Sequence, residues 1–263
     1  MLEKKPMHAP EPPELSMTTE SGVCVIEIDR GPVNALPLSS WNGIRDTFAT
    51  VDEDLSKRAV VLHGGEGRFC AGADINELVT PSPEADDAAM LIAVREATNA
   101  IHSCRIPVVA AIDGPAHGGG LELALACDLR VASERATFAA SGVNMGLIAG
   151  IGSIIDAAGD TIARRMLLTG ERIDATTALQ WNLITAVVDA PIGSAHDLAK
   201  AIAQKPPLAV EAAKAALNNT STQTPAEEQS ALTDTFRRLA NTADHHEALN
   251  AFLEKRSANF TRE

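Results

Sequence analysis

Pro115-Ala116-His117-Gly118-Gly119-Gly120-Leu121-Glu122 is the stretch that decides the reading of this chain. It follows Pro107-Val108-Val109-Ala110-Ala111-Ile112, a short apolar run suited to a buried strand. It opens into residues 119–127, which read as a buried helix. Glycines at such a junction permit a tight turn and close backbone approach. A second turn, Phe69-Cys70-Ala71-Gly72-Ala73-Asp74-Ile75, stands after another buried-strand run, Ala59-Val60-Val61-Leu62-His63. Each turn can present a backbone N–H to one oxygen atom, and a helix N-terminus behind one of them adds positive potential. Glu122 lies one helical turn after Gly119, in an otherwise apolar segment. A carboxylate there is an anomaly for simple packing. Burial raises such a group toward the range useful for proton transfer. A strand-to-helix packing turn would also account for the three glycines on their own. A phosphate-cradling loop would not, because no Gly-Lys-Ser/Thr follows.

Working outward, residues 23–28 alternate as a strand, and 37–51 carry helical spacing with Ser39 or Ser40 as N-cap. Helical spacing recurs at 86–103, 151–158, 162–168 and 174–181. Short extended pieces are read at 129–132, 137–140 and 184–188. From residue 192 the pattern is helical only, broken near Pro206-Pro207 and 220–224. Strands mixed with helices and then helices alone indicate an α/β core followed by a helical region. No internal repeat is legible in the residues. The expected division is a flexible tail over 1–19, a core over 20–190 and a helical region over 191–263.

A chain of 263 residues, 45% hydrophobic and 22% charged, has the composition of a soluble globular protein and is long enough for one large domain, or one domain with a small appendage. The net charge of −13 argues against a nucleic-acid partner, which requires a basic face. No run of about 18 apolar residues suggests a membrane span, and the Pro- and Glu-rich start does not read as a leader. Cys24, Cys70, Cys104 and Cys127 have neither metal-ligand nor disulfide spacing, so reduced cytosolic thiols are expected. Cys70 has no adjacent base to activate it and reads as a small residue in a tight turn. His117 is assigned an ordinary packed or hydrogen-bonded role. Gly146, Gly150 and Gly152 have the wrong spacing for a dinucleotide fingerprint and read as a loop and a helix start.

In these motifs the chain resembles the enoyl-CoA hydratase/isomerase (crotonase) superfamily. The resemblance rests on the two turns together with Ile28-Asp29-Arg30-Gly31-Pro32-Val33-Asn34-Ala35-Leu36, Cys127-Asp128, Leu168-Thr169-Gly170-Glu171-Arg172-Ile173 and Glu254-Lys255-Arg256-Ser257-Ala258-Asn259-Phe260. It runs from about Gly22 to Phe260. It implies a spiral of ββα units followed by C-terminal helices that make the contacts of a homotrimer or a dimer of trimers. It implies a cytoplasmic enzyme acting on an acyl-CoA thioester, with CoA as part of the substrate and no separate cofactor or metal. Ala73 and Gly119 would supply two N–H donors to the thioester oxygen, and Glu122 would move the proton. Ala35, Ala71, Ala73, Asp74, Ile75, Gly118, Gly119, Gly142 and Lys255 would border the substrate or its CoA, with Arg256 a further candidate for the CoA phosphates. Asp74 reads from its position as a cap for the following helix-like segment.

The chain departs from the hydratase pattern at one place. The second glutamate of the family falls at Gly142, and its neighbours Ser141, Val143 and Asn144 are not carboxylates. Asp156 and Glu134 are candidates to replace it, and the sequence offers no geometric choice between them. Three readings therefore stand: water addition with Glu122 alone or with an unlocated helper, an isomerase or decarboxylase needing fewer proton-transfer groups, or an acyl-CoA binder with little turnover. Intact turns rank catalysis above passive binding, and hydratase is the default.

Overall fold

The computed structural model describes residues 14–79, 88–148, 150–219 and 224–263. Its centre is a six-stranded sheet in the order β1 (Glu14–Glu20), β2 (Val23–Asp29), β4 (Ala59–His63), β6 (Val108–Ile112), β8 (Leu129–Ala132) and β11 (Ala186–Val187). β1 pairs antiparallel with β2, and the other pairings are parallel. β4 and β6 are buried along their whole length, as expected for continuous apolar runs covered on both faces.

The period of two sorts these side chains into two layers. Val60 and Leu62 join Val108, Ala110 and Ile112 in a core against α1 (Leu38–Glu53), α3 (Ala89–Ser103) and α4 (Gly119–Ala126). Ala59 and Val61 join Val109, Ala111 and Val131 on the opposite face, beneath Ala195 and Ala199 of α8 (Pro191–Ala203). The spacing of those two alanines puts them on one side of the helix, where their small size lets it approach the sheet.

Each strand of the large sheet from β2 to β8 is followed by a short second strand. β3 (Ala35–Leu36) and β5 (Gly72–Ala73) pair in parallel. β7 (Pro115–His117) and β9 (Thr137–Ala139) do the same, with β10 (Arg172–Asp174) antiparallel at the edge of β9. A parallel bridge between Cys70 and Ala116 links the two small layers. The units β2–β3–α1, β4–β5–α3 and β6–β7–α4 thus stack as a ββα spiral, with the five-residue α2 (Ile75–Val79) after β5. A repeat is present in space where none is legible in the residues, because its second strands are two or three residues long.

Asn34 ties consecutive units together. Its backbone is left-handed (φ 52°). Its fully buried amide donates to Ile28 O at 2.9 Å, Gly64 O at 3.0 Å and Phe69 O at 2.9 Å, while its Oδ1 accepts from Arg30 N at 2.7 Å. Trp41 of α1 is also fully buried and donates from Nε1 to Leu36 O at 3.2 Å.

Three sequence expectations require correction. Residues 14–19 do not belong to a flexible tail, because Leu15 to Glu20 pair with Ile28 to Val23 in an edge strand; residues 1–13 lie outside the described residues. Neither Ser39 nor Ser40 caps α1: Pro37 occupies the N-cap without a side-chain bond, and Ser40 is buried inside the helix. The boundary at 190 does not separate two packing units, since α8 is the back layer of the sheet. The later helices are α9 (Pro207–Asn219), α10 (Pro225–Ala240) and α11 (Ala243–Glu254). Between α3 and α8 lie a 3-10 turn (Ser141–Met145), α5 (Ile151–Ala158), α6 (Asp160–Thr169) and α7 (Ala175–Gln180).

Candidate active site

The two glycine turns meet. A Cβ placed on Gly72 would stand 2.7 Å from His117 O and 3.2 Å from Gly119 N. One placed on Gly120 would stand 1.9 Å from Cys70 O. Only residues without side chains let these segments close on one another, and Gly72 also takes a left-handed backbone (φ 100°). Asp74 N–H donates to Leu36 O at 2.8 Å. Successive N–H groups of an extended segment face opposite ways, so the Ala73 N–H points away from β3. Gly119 is the first residue of α4, and its N–H is among the terminal groups that a helix leaves without an internal acceptor. Beneath it a Cβ would touch Trp41 Cζ2 at 3.0 Å, so the indole forms the floor of the turn.

Above these turns lies a cavity of about 410 Å³. One wall is Ala71, Gly72, Ala73 and Ile75, and another is Met90, Leu91 and Val94 of α3. Gly118, Gly119 and Glu122 come from the start of α4. The last wall includes Ser141, Gly142, Leu147, Ile148 and Gly150. Most of this lining is apolar. Glu122 is the one charged side chain among the described lining residues.

No donor among the described residues binds the Glu122 carboxylate, and burial pushes it from 4.5 up to about 7. An acid in that range can both take and return a proton near neutrality. Gly150, the left-handed N-cap of α5, packs directly on it: a Cβ there would stand 2.7 Å from Glu122 Cγ. From the residues alone Gly150 reads as a plain helix start, and nothing in the sequence discloses this contact. Its only local sign is a glycine before an apolar helix.

The remaining predicted residues fall as follows. Ala35 sits in β3 opposite Gly72, behind the cavity wall. Asp74 Oδ1 accepts from Asn76 N at 2.9 Å, the capping arrangement expected of it. Gly142 lies in the 3-10 turn, where a Cβ would start 3.0 Å from Leu147 O. Asp156 and Glu134 are exposed and do not line the cavity, so neither stands in for the absent second carboxylate. Lys255 is the exposed, left-handed C-cap of α11 and is not a lining residue. Arg256 is engaged by Glu247 at 2.6 Å and Glu254 at 2.6 Å. His117 is half-buried and lies 3.0 Å from Thr137 Oγ1. Burial lifts the Cys70 thiol to about 12, which leaves it inert as a nucleophile.

A stacked ββα spiral that folds two glycine turns over one half-buried acid in an apolar cavity defines a scaffold for chemistry at a carbonyl group. The family model for enoyl-CoA hydratase/isomerase matches residues 18–263. The chain is similar to the probable mitochondrial enoyl-CoA hydratase 2 of Arabidopsis thaliana, at 34% identity over 92% of this chain and 83% of that one. It is also similar to the 2,3-dehydroadipyl-CoA hydratase of Escherichia coli, at 34% identity over 94% of this chain and 98% of that one. Among solved structures it resembles an enoyl-CoA hydratase from Bacillus anthracis, with a TM-score of 0.90, 30% identity, and coverage of 95% and 99% of the two chains. The chain therefore belongs to the enoyl-CoA hydratase/isomerase family and is an enzyme of that family.

Proposed function

We propose that this enzyme adds water across the double bond of an enoyl-CoA thioester. The observation that carries the reading is Glu122, held in an apolar cavity one turn past Gly119 with its carboxyl raised to about 7. In this reading the Ala73 and Gly119 N–H groups hold the thioester oxygen as it gains charge. Losing one such donor typically costs about 3 kcal/mol of transition-state stabilisation. Ionised Glu122 takes a proton from water as the water oxygen bonds to the β-carbon. The electron pair of the double bond moves onto the thioester oxygen as an enolate. The protonated Glu122 then returns that proton to the α-carbon, so one carboxyl serves in sequence where two would divide the work. No resident cofactor or metal enters these steps.

Ala71, Ile75 and Gly118 would border the thioester arm, with Lys255 reserved for a CoA phosphate. We place the enzyme in the cytoplasm, a reading supported by four buried, unpaired cysteines. We further propose a homotrimer or a dimer of trimers formed through the C-terminal helices, where Phe236, Phe252 and Leu253 are 71%, 82% and 75% exposed. Light scattering checks the assembly.

The function is tested with crotonyl-CoA, following loss of the enoyl absorbance and the product by mass spectrometry. Gain of one water by the native enzyme, abolished in Glu122→Gln, is expected. Glu122→Gln with full turnover would refute the role of that residue. Because Gly142 supplies no second carboxylate, a 3-enoyl-CoA is run alongside. Conversion of that substrate without mass change, with crotonyl-CoA untouched, would replace hydration by double-bond migration.

A further inference from the structure

The cavity that holds Glu122 offers a guest few polar side chains. Among its described lining residues only Glu122 and Ser141 carry oxygen or nitrogen on the side chain. Glu122 is accounted for as the proton carrier. Ser141 is not. It is half-buried, and among the described residues no group donates a hydrogen bond to its hydroxyl or accepts one from it. A hydroxyl can donate one hydrogen bond and accept two. On an otherwise apolar wall that capacity is left for a small polar guest.

The chain on either side fixes the position of Ser141. Gly118 N–H donates to Ala139 O at 2.9 Å, and Leu147 N–H closes the turn on Gly142 O at 2.9 Å. Asn144 Nδ2 ties the same turn to Gly170 O at 3.0 Å. The hydroxyl stands over Gly118, where a Cβ would lie 3.2 Å from Ser141 Oγ. Gly118 is one helical turn before Glu122, whose N–H donates to Gly118 O at 3.2 Å. Residues at that spacing share a helix face. Gly150, further along the same stretch of chain, packs on Glu122 Cγ. Hydroxyl and carboxyl therefore occupy one corner of the cavity, beside Gly119, and Gly142 puts no side chain there.

We propose that Ser141 is a catalytic residue that holds the attacking water through its Oγ. The proposal rests on the reading of the site as a hydratase and adds the second group that fixes the water. One water hydrogen is directed at ionised Glu122 and the other is hydrogen-bonded to Ser141 Oγ, which leaves a lone pair of the water oxygen for the β-carbon. As the new C–O bond forms, Glu122 takes the first hydrogen as a proton and the electron pair of the double bond moves onto the thioester oxygen. The second hydrogen stays on the added oxygen and becomes the hydrogen of the product hydroxyl. Glu122 then delivers its proton to the α-carbon. Ser141 gains and loses nothing, so it places the water without sharing the proton transfer, as a second carboxylate would. The product hydroxyl ends where the water began, and Ser141 Oγ accepts from it in turn.

Ser141→Ala removes the oxygen and little else, and circular dichroism checks its fold. With crotonyl-CoA, kcat is expected to fall at least about tenfold while KM moves less than about twofold, the pattern of a misplaced reactant rather than a lost binding contact. An unchanged kcat in Ser141→Ala, beside a native enzyme that hydrates, overturns the proposal and leaves the hydratase reading standing. A native enzyme that binds butanoyl-CoA without hydrating crotonyl-CoA refutes that reading itself, and the proposal with it. A binding measurement separates recognition of the hydroxyl from damage to the turn. It uses Glu122→Gln, in which turnover is expected to be absent. Calorimetry on Glu122→Gln and on Glu122→Gln/Ser141→Ala compares 3-hydroxybutanoyl-CoA with butanoyl-CoA. Loss of Ser141 Oγ is expected to weaken the hydroxylated ligand about fivefold and to leave the plain one unchanged. Equal weakening of the two would show that the substitution only deforms the turn, and would overturn the assignment.

Discussion

Replacing Glu122 by glutamine tests the electrostatics of the site without reference to any substrate. Burial raises this carboxyl from 4.5 to about 7. At about 1.4 kcal/mol for each tenfold change in proton affinity, the fold favours protonated Glu122 by about 3 kcal/mol. Between those two values the folded chain holds a proton that the unfolded chain has released. Stability therefore falls as pH rises from about 4.5 through about 7 and is level above that. Glutamine is neutral throughout and lacks this slope. The stability of Glu122→Gln minus that of the native protein should thus grow by about 3 kcal/mol across the interval. His63 and His117, both lowered by burial, titrate in both proteins and cancel in the difference. Urea unfolding at a series of pH values, followed by circular dichroism, measures it. Parallel curves for the two proteins would show that Glu122 is not held in a desolvating pocket, and the reasoning would fall.

Two further outcomes are expected. Gly150→Ala would place a methyl 2.7 Å from Glu122 Cγ on a backbone at φ 68°; kcat/KM should drop at least about tenfold with a displaced pH midpoint, and an unaltered pH–rate profile would contradict the contact. Lys214, 5% exposed, donates to Asp128 at 2.8 Å and to Ile106 O at 3.0 Å. Lys214→Ala leaves those acceptors without their cation and should cost about 3 kcal/mol of stability in denaturant unfolding, whereas an unchanged midpoint would show the pair to be dispensable.

What the residues disclosed depended on length of signal. β4, β8 and α5 fall at the positions their apolar runs indicated, because each is a continuous or periodic segment bounded by glycine or polar residues. β3, β5 and β7 left no comparable trace: two or three residues cannot show a period, and their pairing is set by neighbours far along the chain. β1 was hidden by the Pro- and Glu-rich sequence before it, although Leu15, Met17 and Thr19 alternate. At the site, Glu122 stood out as a charge among leucines and alanines. Gly150 did not, since its importance lies in the absence of atoms beside a carboxylate 28 positions earlier.

The indole beneath Gly119 has a practical use. The chain has two tryptophans and no tyrosine. Trp181 lies under the Arg165 guanidinium, 5.0 Å from its ring centre, in a different part of the molecule. Exchanging Trp181 for phenylalanine would leave a single, water-shielded emitter directly under the turn. Its fluorescence would then report, without any label, when that turn is occupied.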